Sequence, residues 1–384
     1  MEVKTLQRHI VTLATLKETG APVISCYLNL ERGPSACQDV LSERVQTLRK
    51  SLGEPERIQL DAAFRPIETY LRSRPASDAL GLALFSRAGE QPFFLALEFR
   101  VPLPTWISVN HTPSIYHLVE IKDNYDRYVI LFATEERARI LGINLGSITQ
   151  EVWKSRPELR RRIGHEWTRE HYQDHRRERT KQFIREQIRI ADQLMSAGGY
   201  GHLILAGPAR LTAAVRQALP KHLVARLVDI VSATAADRLS DIVAATLQPF
   251  LEHEESESLA MVDQLLKQIH THGLAVAGTH SSLAALCAGQ VDVLVLARDY
   301  APGEGWSCLA CGLTVSEAKS VAACPRCQSG QLRQFDIKEE MVRRAEQLGC
   351  GIEVVDHSDL LMQLGGVGCL LRYADPAYYR EKAA

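Results

Sequence analysis

The chain has 384 residues, of which 46% are hydrophobic and 24% are charged, and its formal net charge is −1. These values are ordinary for a globular protein and exclude a mainly disordered chain, while the length predicts two or three domains. No apolar run approaches the roughly 18 residues of a membrane span, and Met1–Thr19 is too charged for a signal peptide, so we expect a cytoplasmic protein.

Residues 1–122 carry the pattern of a first α/β domain. Helical spacing of apolar residues predicts helices at Thr5–Thr19, Ala36–Leu52 and Pro55–Arg72. Short apolar or alternating runs predict strands at Val23–Leu30, Leu80–Phe85 and Pro92–Phe99. We expect the following segment, which contains Pro102, Pro104 and Pro113, to be a loop that leaves this domain.

Residues 123–252 are predicted to form a second domain. It begins with a strand at Tyr128–Ala133 and a hairpin of Ala138–Leu145 and Ser147–Trp153, turning at Leu145–Gly146. A long helix follows, with apolar residues at helical spacing between Phe183 and Met195 and with Gly198–Gly199 at its end. Strands and helices then alternate at His202–Ala206, Ala209–Leu219, Leu227–Val231 and Thr234–Leu251.

The acidic stretch Glu252–Glu257 marks the expected start of a third domain, residues 253–384. Predicted helices cover Leu259–His272, Ser281–Cys287 and Ile337–Leu348, and predicted strands cover Val291–Ala297, Ile352–Val355 and Leu370–Tyr373. Gly365–Gly366–Val367–Gly368 lacks the lysine of a phosphate loop, which favours glycines required for turns and close packing. The fold class is therefore α/β, with a mixed or largely parallel sheet flanked by helices in each of three domains.

Positive charge is concentrated in one segment. Residues 154–189 contain 12 Lys+Arg and 6 Asp+Glu, a local charge of +6, so the rest of the chain carries −7. Within this segment arginines alternate with Trp167, Tyr172 and three histidines, a combination that offers phosphate contacts and stacking surfaces for RNA. A solvated, charged start of a helix is the alternative interpretation.

Four of the nine cysteines form two Cys-x-x-Cys pairs, Cys308–Cys311 and Cys324–Cys327, separated by 12 residues. Four thiolates at this spacing are typical of tetrahedral zinc, and they leave no open coordination position for catalysis. We therefore expect one structural Zn²⁺ in a small zinc-ribbon insert, residues 302–333 of the third domain. The other five cysteines are scattered and are interpreted as small core residues.

The order of these features resembles the archaeal and eukaryotic class 1 release factor and Pelota superfamily, in the bacterial branch that includes the hibernation factor Balon. The likeness spans almost the whole chain in short motifs, carried by Pro22–Leu28, Tyr125–Tyr128, the arginine-rich segment, Leu203–Pro208, Leu274–Gly278, Val291–Leu296 and Gly365–Tyr373. The cysteine pairs fall where many archaeal members carry a zinc ribbon.

Two departures bear on function. Release factors of this family present Gly-Gly-Gln at the tip of the middle domain, where this chain has Gly164–His165–Glu166–Trp167. The family's stop-codon motif Asn-Ile-Lys-Ser is absent from the first 120 residues. The resemblance thus implies a factor that occupies the ribosomal A site for hibernation or rescue without codon-specific peptide release, and that is not an enzyme.

The resemblance also implies contacts. The first domain would approach the decoding centre. The tip would approach ribosomal RNA of the peptidyl transferase centre, with tRNA as a further candidate contact. The third domain would contact a translational GTPase, which in bacteria would be elongation factor Tu. The candidate RNA-binding residues are Arg160, Arg161, Arg162, His165, Glu166, Trp167, Arg169, Tyr172, Arg176 and Arg177. Two alternatives remain: a peptidyl-tRNA hydrolase in which His165 or Glu166 positions water, and a stress protein that binds RNA away from the ribosome.

Overall fold

A computed structural model describes residues 2–31, 33–51, 53–73, 78–155, 169–317 and 322–373, without the side chains of 34–40, 51, 55 and 169–176. The chain forms two compact units. Unit 1 comprises Met1–Val3 and Tyr125–Glu254, and unit 2 comprises Lys4–Asn124 and Glu255–Ala384. Within the described ranges, no helix is both long enough and apolar enough to cross a membrane.

The amino-terminal part of unit 2 is a four-stranded sheet with helices. Its helices are α1 (Val3–Ala14), α2 (Pro34–Ser51), α3 (Glu54–Arg72) and α4 (Tyr116–Asn124). Its strands are β1 (Val23–Asn29), β2 (Gly81–Arg87), β3 (Phe93–Phe99) and β4 (Trp106–Asn110), in the order β3-β2-β1-β4. The apolar face of β1 packs against α2 and α3 around the buried side chains of Leu28, Phe64 and Ile67.

Two predictions for this part are wrong. The sheet is antiparallel at each of its pairings, and not mixed or largely parallel. A short connection of five residues, 88–92, with Gly89 at φ 78°, is enough to join β2 to β3 because the two strands are antiparallel. The proline-containing segment that was predicted as a loop contains β4. Pro102 and Pro104 precede that strand, so they remove no hydrogen bond from it, and Ile107 and Val109 pack on the core.

Unit 1 contains a five-stranded mixed sheet. Its strands are β5 (Tyr128–Ala133), β6 (Arg137–Asn144), β7 (Ser147–Ser155), β8 (His202–Gly207) and β9 (Leu227–Ser232), in the order β7-β6-β5-β8-β9. β5, β8 and β9 are parallel, whereas β5-β6-β7 is antiparallel. The predicted hairpin is confirmed: Leu145 and Gly146 between β6 and β7 both have positive φ, 48° and 68°, as a type I′ turn requires.

Helices cover both faces of this sheet. They are α5 (Arg169–Gly198), α6 (Ala209–Ala218), α7 (Lys221–Val224) and α8 (Leu239–His270). α5 and α6 pack on the face that carries Val129 and Leu131, and α8 contributes Ile242 and Phe250 to the core on the opposite face, around Tyr128.

α8 corrects the prediction of two separate helices on either side of an acidic boundary. It is one helix of 32 residues that continues through Glu252–Glu257 and contains Pro249. Glutamate is a good helix former, so an acidic stretch interrupts apolar periodicity without ending the helix.

The carboxy-terminal part of unit 2 contains a mixed sheet and a small antiparallel sheet. Its helices are α9 (Thr279–Cys287), α10 (Ile337–Leu348) and α11 (Asp359–Gln363). The strands are β10 (Ala275–Ala277), β11 (Val291–Ala297), β12 (Glu304–Cys308), β13 (Thr314–Val315), β14 (Leu332–Asp336), β15 (Gly351–Val355) and β16 (Val367–Leu371). The sheet orders are β10-β16-β11-β15, in which β11 and β15 are parallel, and β13-β12-β14.

The glycines near β16 serve close packing, as the sequence predicts. A Cβ atom on Gly368 would lie 2.5 Å from Leu265 Cδ2 and 3.1 Å from the carbonyl oxygen of Val276. Gly366 has φ 76°, and a Cβ there would lie 2.7 Å from the ring of Tyr300. Any side chain at these positions would force its neighbours apart.

Polar contacts join the two sequence-distant parts of unit 2. Glu346 on α10, almost fully buried, accepts hydrogen bonds from Gln7 of α1 and Lys122 of α4, both over 2.7 Å. Glu339, also on α10, accepts from the backbone N–H of Ile115 at 2.8 Å, just before α4. Arg298 donates to Glu120 of α4 over 2.8 Å. These bonds explain why segments more than 170 residues apart form a single unit.

Candidate nucleic-acid interface and metal centre

Helix α5 forms the arm that leads from the arginine-rich segment. Its 30 residues extend about 45 Å, and its carboxy-terminal half is anchored by Ile184, Ile188, Ala191 and Met195 in the core of unit 1. Residues 177–179, 181 and 182 have exposed side chains, and burial begins at Phe183. These exposed side chains of α5 therefore lie on the amino-terminal side of the residues that anchor the helix in the core.

The predicted tip lies mostly outside the described residues. β7 ends at Ser155 and α5 begins at Arg169, and the intervening residues 156–168 include Arg160, Arg161, Arg162, His165, Glu166 and Trp167. Arg169, Tyr172 and Arg176 lie on α5 by their backbone, and their side chains are outside the description. Arg177 is exposed on α5. The assignment of these residues to RNA binding stays a prediction.

One aromatic side chain that the motif search missed lies two residues before the end of β7. Trp153 is 47% exposed, and the Arg139 guanidinium carbon lies 3.6 Å from the centre of its ring. Arg139 is the direct cross-strand neighbour of Trp153 in the β6–β7 ladder. This cation–π pair fixes an exposed indole at the base of the tip segment.

The four cysteines of the two predicted pairs converge in the small sheet. The Sγ atoms of Cys308 and Cys327 are 3.4 Å apart, those of Cys311 and Cys324 are 3.6 Å apart, and all four lie within 4.8 Å of one another. Tetrahedral zinc with sulfur at about 2.3 Å requires S···S separations of about 3.8 Å. The donor set and its spacing fit a metal ion of this kind.

The two cysteine turns have the same backbone geometry. In each turn the residue after the second cysteine, Gly312 or Gln328, donates its N–H to the carbonyl of the first cysteine, over 2.9 Å and 2.8 Å. Both residues adopt positive φ, 73° for Gly312 and 61° for Gln328. This repetition places two pairs of sulfur atoms face to face, which is the arrangement that binds metal in zinc ribbons.

The surroundings of Cys308 favour its metal-binding thiolate. Burial opposes ionisation, but backbone N–H groups of Cys311 and Ala310 point towards the sulfur and lower the pKa of the Cys308 thiol to about 7. Cys308 and Cys324 are buried beside Trp306, whereas Cys327 is exposed. The four cysteines can thus bind a metal at the edge of the unit.

Unit 1 is the part of the chain that a protein-family model matches. Residues 113–250 match the model of bacterial archaeo-eukaryotic release factor family 10. This range covers nearly all of unit 1, including the hairpin and α5. Over these residues the chain resembles this family of bacterial release factor-like proteins.

Curated relatives of this release factor-like chain are archaeal. Peptide chain release factor subunit 1 of Pyrococcus abyssi is 22% identical over 96% of this chain and 97% of its own length. The protein of the same name from Thermococcus sibiricus is 27% identical over 35% of this chain and 37% of its own length.

Similar solved structures include a model of ribosome-bound archaeal Pelota and ABCE1, with a TM-score of 0.41, 11% identity and coverage of 96% and 94% of the two chains. Dom34 of S. cerevisiae, described as interacting with Hbs1, has a TM-score of 0.40, 12% identity and coverage of 77% and 81%. The archaeal termination factor aRF1 has a TM-score of 0.28 and 17% identity, and covers 97% and 99%.

Proposed function

We propose that this protein is a ribosome-binding translation factor that occupies the A site in hibernation or rescue, without codon-specific peptide release. The observation that carries this proposal is the family match over residues 113–250, in a chain whose tip has Gly164–His165–Glu166–Trp167 in place of Gly-Gly-Gln. A tip without the glutamine lacks the group that, in release factors of this family, positions water.

In this proposal the three predicted domains have separate contacts. Residues 1–122 approach the decoding centre, residues 123–252 carry the tip towards the peptidyl transferase centre, and residues 253–384 contact a translational GTPase, elongation factor Tu in bacteria. The pairing of Dom34 with Hbs1 and the ribosome-bound Pelota support these contacts as analogies. A factor with these partners acts in the cytoplasm.

The tip arginines supply the RNA contacts. Arg160, Arg161, Arg162, Arg169, Arg176 and Arg177 would contact phosphates, while His165, Trp167 and Tyr172 would stack on bases. The metal of the four-cysteine site is proposed to be one structural Zn²⁺. A metal held by four cysteines has no position for a substrate, so its proposed role is to hold the 302–333 insert together.

Peptide release is the second candidate, and the names of the archaeal relatives favour it. In that case Glu166 would act as a general base for water. The chemistry of the tip argues against it, because His165 and Trp167 add bulk where glycine permits close approach, and a carboxylate would bring negative charge towards an oxyanion that needs hydrogen-bond donors.

Two experiments test the proposal. Cryo-EM of ribosomes purified with the tagged protein from stationary cells should reveal it in the A site. In a single-turnover assay with ribosomes that carry peptidyl-tRNA, we expect no peptide release above background. Release that disappears in a Glu166→Gln variant would overturn the proposal in favour of a hydrolase.

A further inference from the structure

Beyond the tip, α5 carries a row of exposed cations that begins just before its anchored half and continues along it. Lys181, Arg185 and Arg189 follow one another at intervals of four residues, and all three side chains are exposed. Residues four apart are neighbours on a helix surface, so the charges recur about every 6 Å and span about 12 Å. We call these three residues the α5 row.

Two carboxylates of α5 near the row form ion pairs with residues outside the row. Glu186 pairs with Lys154 of β7 over 3.0 Å, and Asp192 pairs with His222 over 3.1 Å. Glu178 reaches Lys181 only at 3.9 Å. Across the described ranges, no carboxylate lies within ion-pairing distance of Arg185 or Arg189. Lys181 is therefore partly neutralised by Glu178, whereas Arg185 and Arg189 present their positive charge to solvent without a paired carboxylate among the described residues.

Like charges four residues apart repel each other and weaken a helix. A partner with closely spaced negative charges would remove that repulsion. The phosphates of a nucleic-acid strand recur every few ångströms, so three cations along about 12 Å can each meet a different phosphate. Arginine suits this role because its planar guanidinium binds phosphate through two hydrogen bonds.

We infer that the α5 row is a second RNA-contacting surface, which binds the sugar–phosphate backbone along the arm while the tip reaches further. This inference rests on the proposed function for the identity of the RNA, because the row itself recognises phosphate and not sequence. The backbone could belong to ribosomal RNA or to tRNA, so both serve as probes.

The test is a comparison of two triple variants of the full-length protein. One carries Lys181→Ala, Arg185→Ala and Arg189→Ala. The matched control removes three other exposed arginines of unit 1 that lie outside α5, through Arg210→Ala, Arg216→Ala and Arg226→Ala. All six side chains are exposed, so both variants should keep the circular dichroism spectrum and thermal transition of the wild type.

Binding to vacant 70S ribosomes and to free deacylated tRNA is then measured between 50 and 300 mM KCl. Each lost phosphate contact should reduce the slope of log affinity against log salt by about 0.7 to 0.9, so the row variant should lose roughly 2 to 3 in slope. We expect its affinity for at least one probe to fall about tenfold or more, and that of the control variant to stay within about twofold.

The outcomes distinguish a failure of the α5-row inference from a failure of the proposed function. If the wild type binds ribosomes and the row variant matches the control on both probes, the inference is wrong and the proposed function stands. If the wild type binds tRNA through the row but does not bind ribosomes, the row is confirmed as an RNA surface and the proposed function fails. If the wild type binds neither probe, both fail.

Discussion

Lys122 donates a hydrogen bond from Nζ to Glu346 Oε1 over 2.7 Å, across 224 residues of sequence. The Glu346 side chain is 3% exposed and the Lys122 side chain 22% exposed, so most of this ion pair is removed from solvent. Gln7 donates to the other oxygen of the same carboxylate. The Glu346 side chain of α10 thus links α1 and α4 through hydrogen bonds to both of its carboxylate oxygens.

We expect Glu346→Gln to destabilise unit 2 by about 1 to 3 kcal/mol, because Lys122 would be left partly buried without a counter-charge. Urea unfolding followed by circular dichroism measures this change. The control is Asp61→Asn, which removes an exposed pair with Arg49 and should cost less than about 1 kcal/mol. Equal costs for the two variants would contradict the role of the buried pair.

Glu120 should make unit 2 sensitive to acid. Burial acts to raise the pKa of its carboxyl, but the hydrogen bond from His117 and the charge of Arg298 outweigh burial and lower that pKa below 4.5. A carboxyl with a lowered pKa stabilises the fold above its unfolded value, and this contribution is lost as the pH falls through the folded value.

We therefore expect the free energy of unfolding to decrease as the pH falls below about 4.5, and to decrease less steeply in Glu120→Gln. Urea unfolding at a series of pH values between 3 and 6 provides the measurement. Glu43→Gln, at an exposed glutamate of α2, is the control and should keep the wild-type slope. An unchanged slope in Glu120→Gln would show that other carboxyls cause the acid sensitivity.

The protein purified under reducing conditions should contain one zinc per chain. Cys324→Ser removes one of four converging sulfur atoms, so its metal content should fall below half an equivalent while the larger sheets stay folded. Metal analysis by mass spectrometry checks this prediction. Cys287→Ser is the control, since Cys287 is exposed and lies outside the four-cysteine site. Less than half an equivalent in the wild type would contradict a zinc site.

Replacing Arg160, Arg161 and Arg162 with Ala should weaken ribosome binding and reduce the salt slope by roughly 2 to 3. The physical reason is the loss of counterion release at three phosphate contacts. The same binding assay and the same control, Arg210→Ala with Arg216→Ala and Arg226→Ala, apply here. If both affinity and slope stayed at wild-type values, this segment would be a solvated surface.

The sequence predicted the position of the arginine-rich segment but did not distinguish every exposed cation near it. The arginine-rich segment stands out by composition, and its place between a hairpin and a long helix is confirmed by β7 and α5. The α5 row lies within the positive segment 154–189, but its three residues were not among the RNA-binding candidates, although their spacing of four residues is visible in the sequence. The structure was needed to show that the carboxylates next to the row on α5 have other partners: Glu186 pairs with Lys154, and Asp192 pairs with His222.

The sequence by itself determined the local structure of this protein. Period-two and helical patterns located β5, β11 and α10 at their observed bounds, and the Leu145–Gly146 turn followed from a dipeptide. The cysteine spacing identified the four cysteines that converge in the structure. These features depend on interactions between near neighbours, which the order of residues specifies directly.

Only the tertiary structure decided the strand directions in the first sheet, the continuity of α8 and the joining of residues 4–124 to residues 255–384. Each depends on partners that are distant in sequence, such as Lys122 with Glu346 or Ile115 with Glu339. A charged side chain on a helix looks the same in sequence whether it faces water or a buried counter-charge. Packing of the whole chain selects between these environments, because burial of a charge is tolerated only where a partner lies within hydrogen-bonding distance.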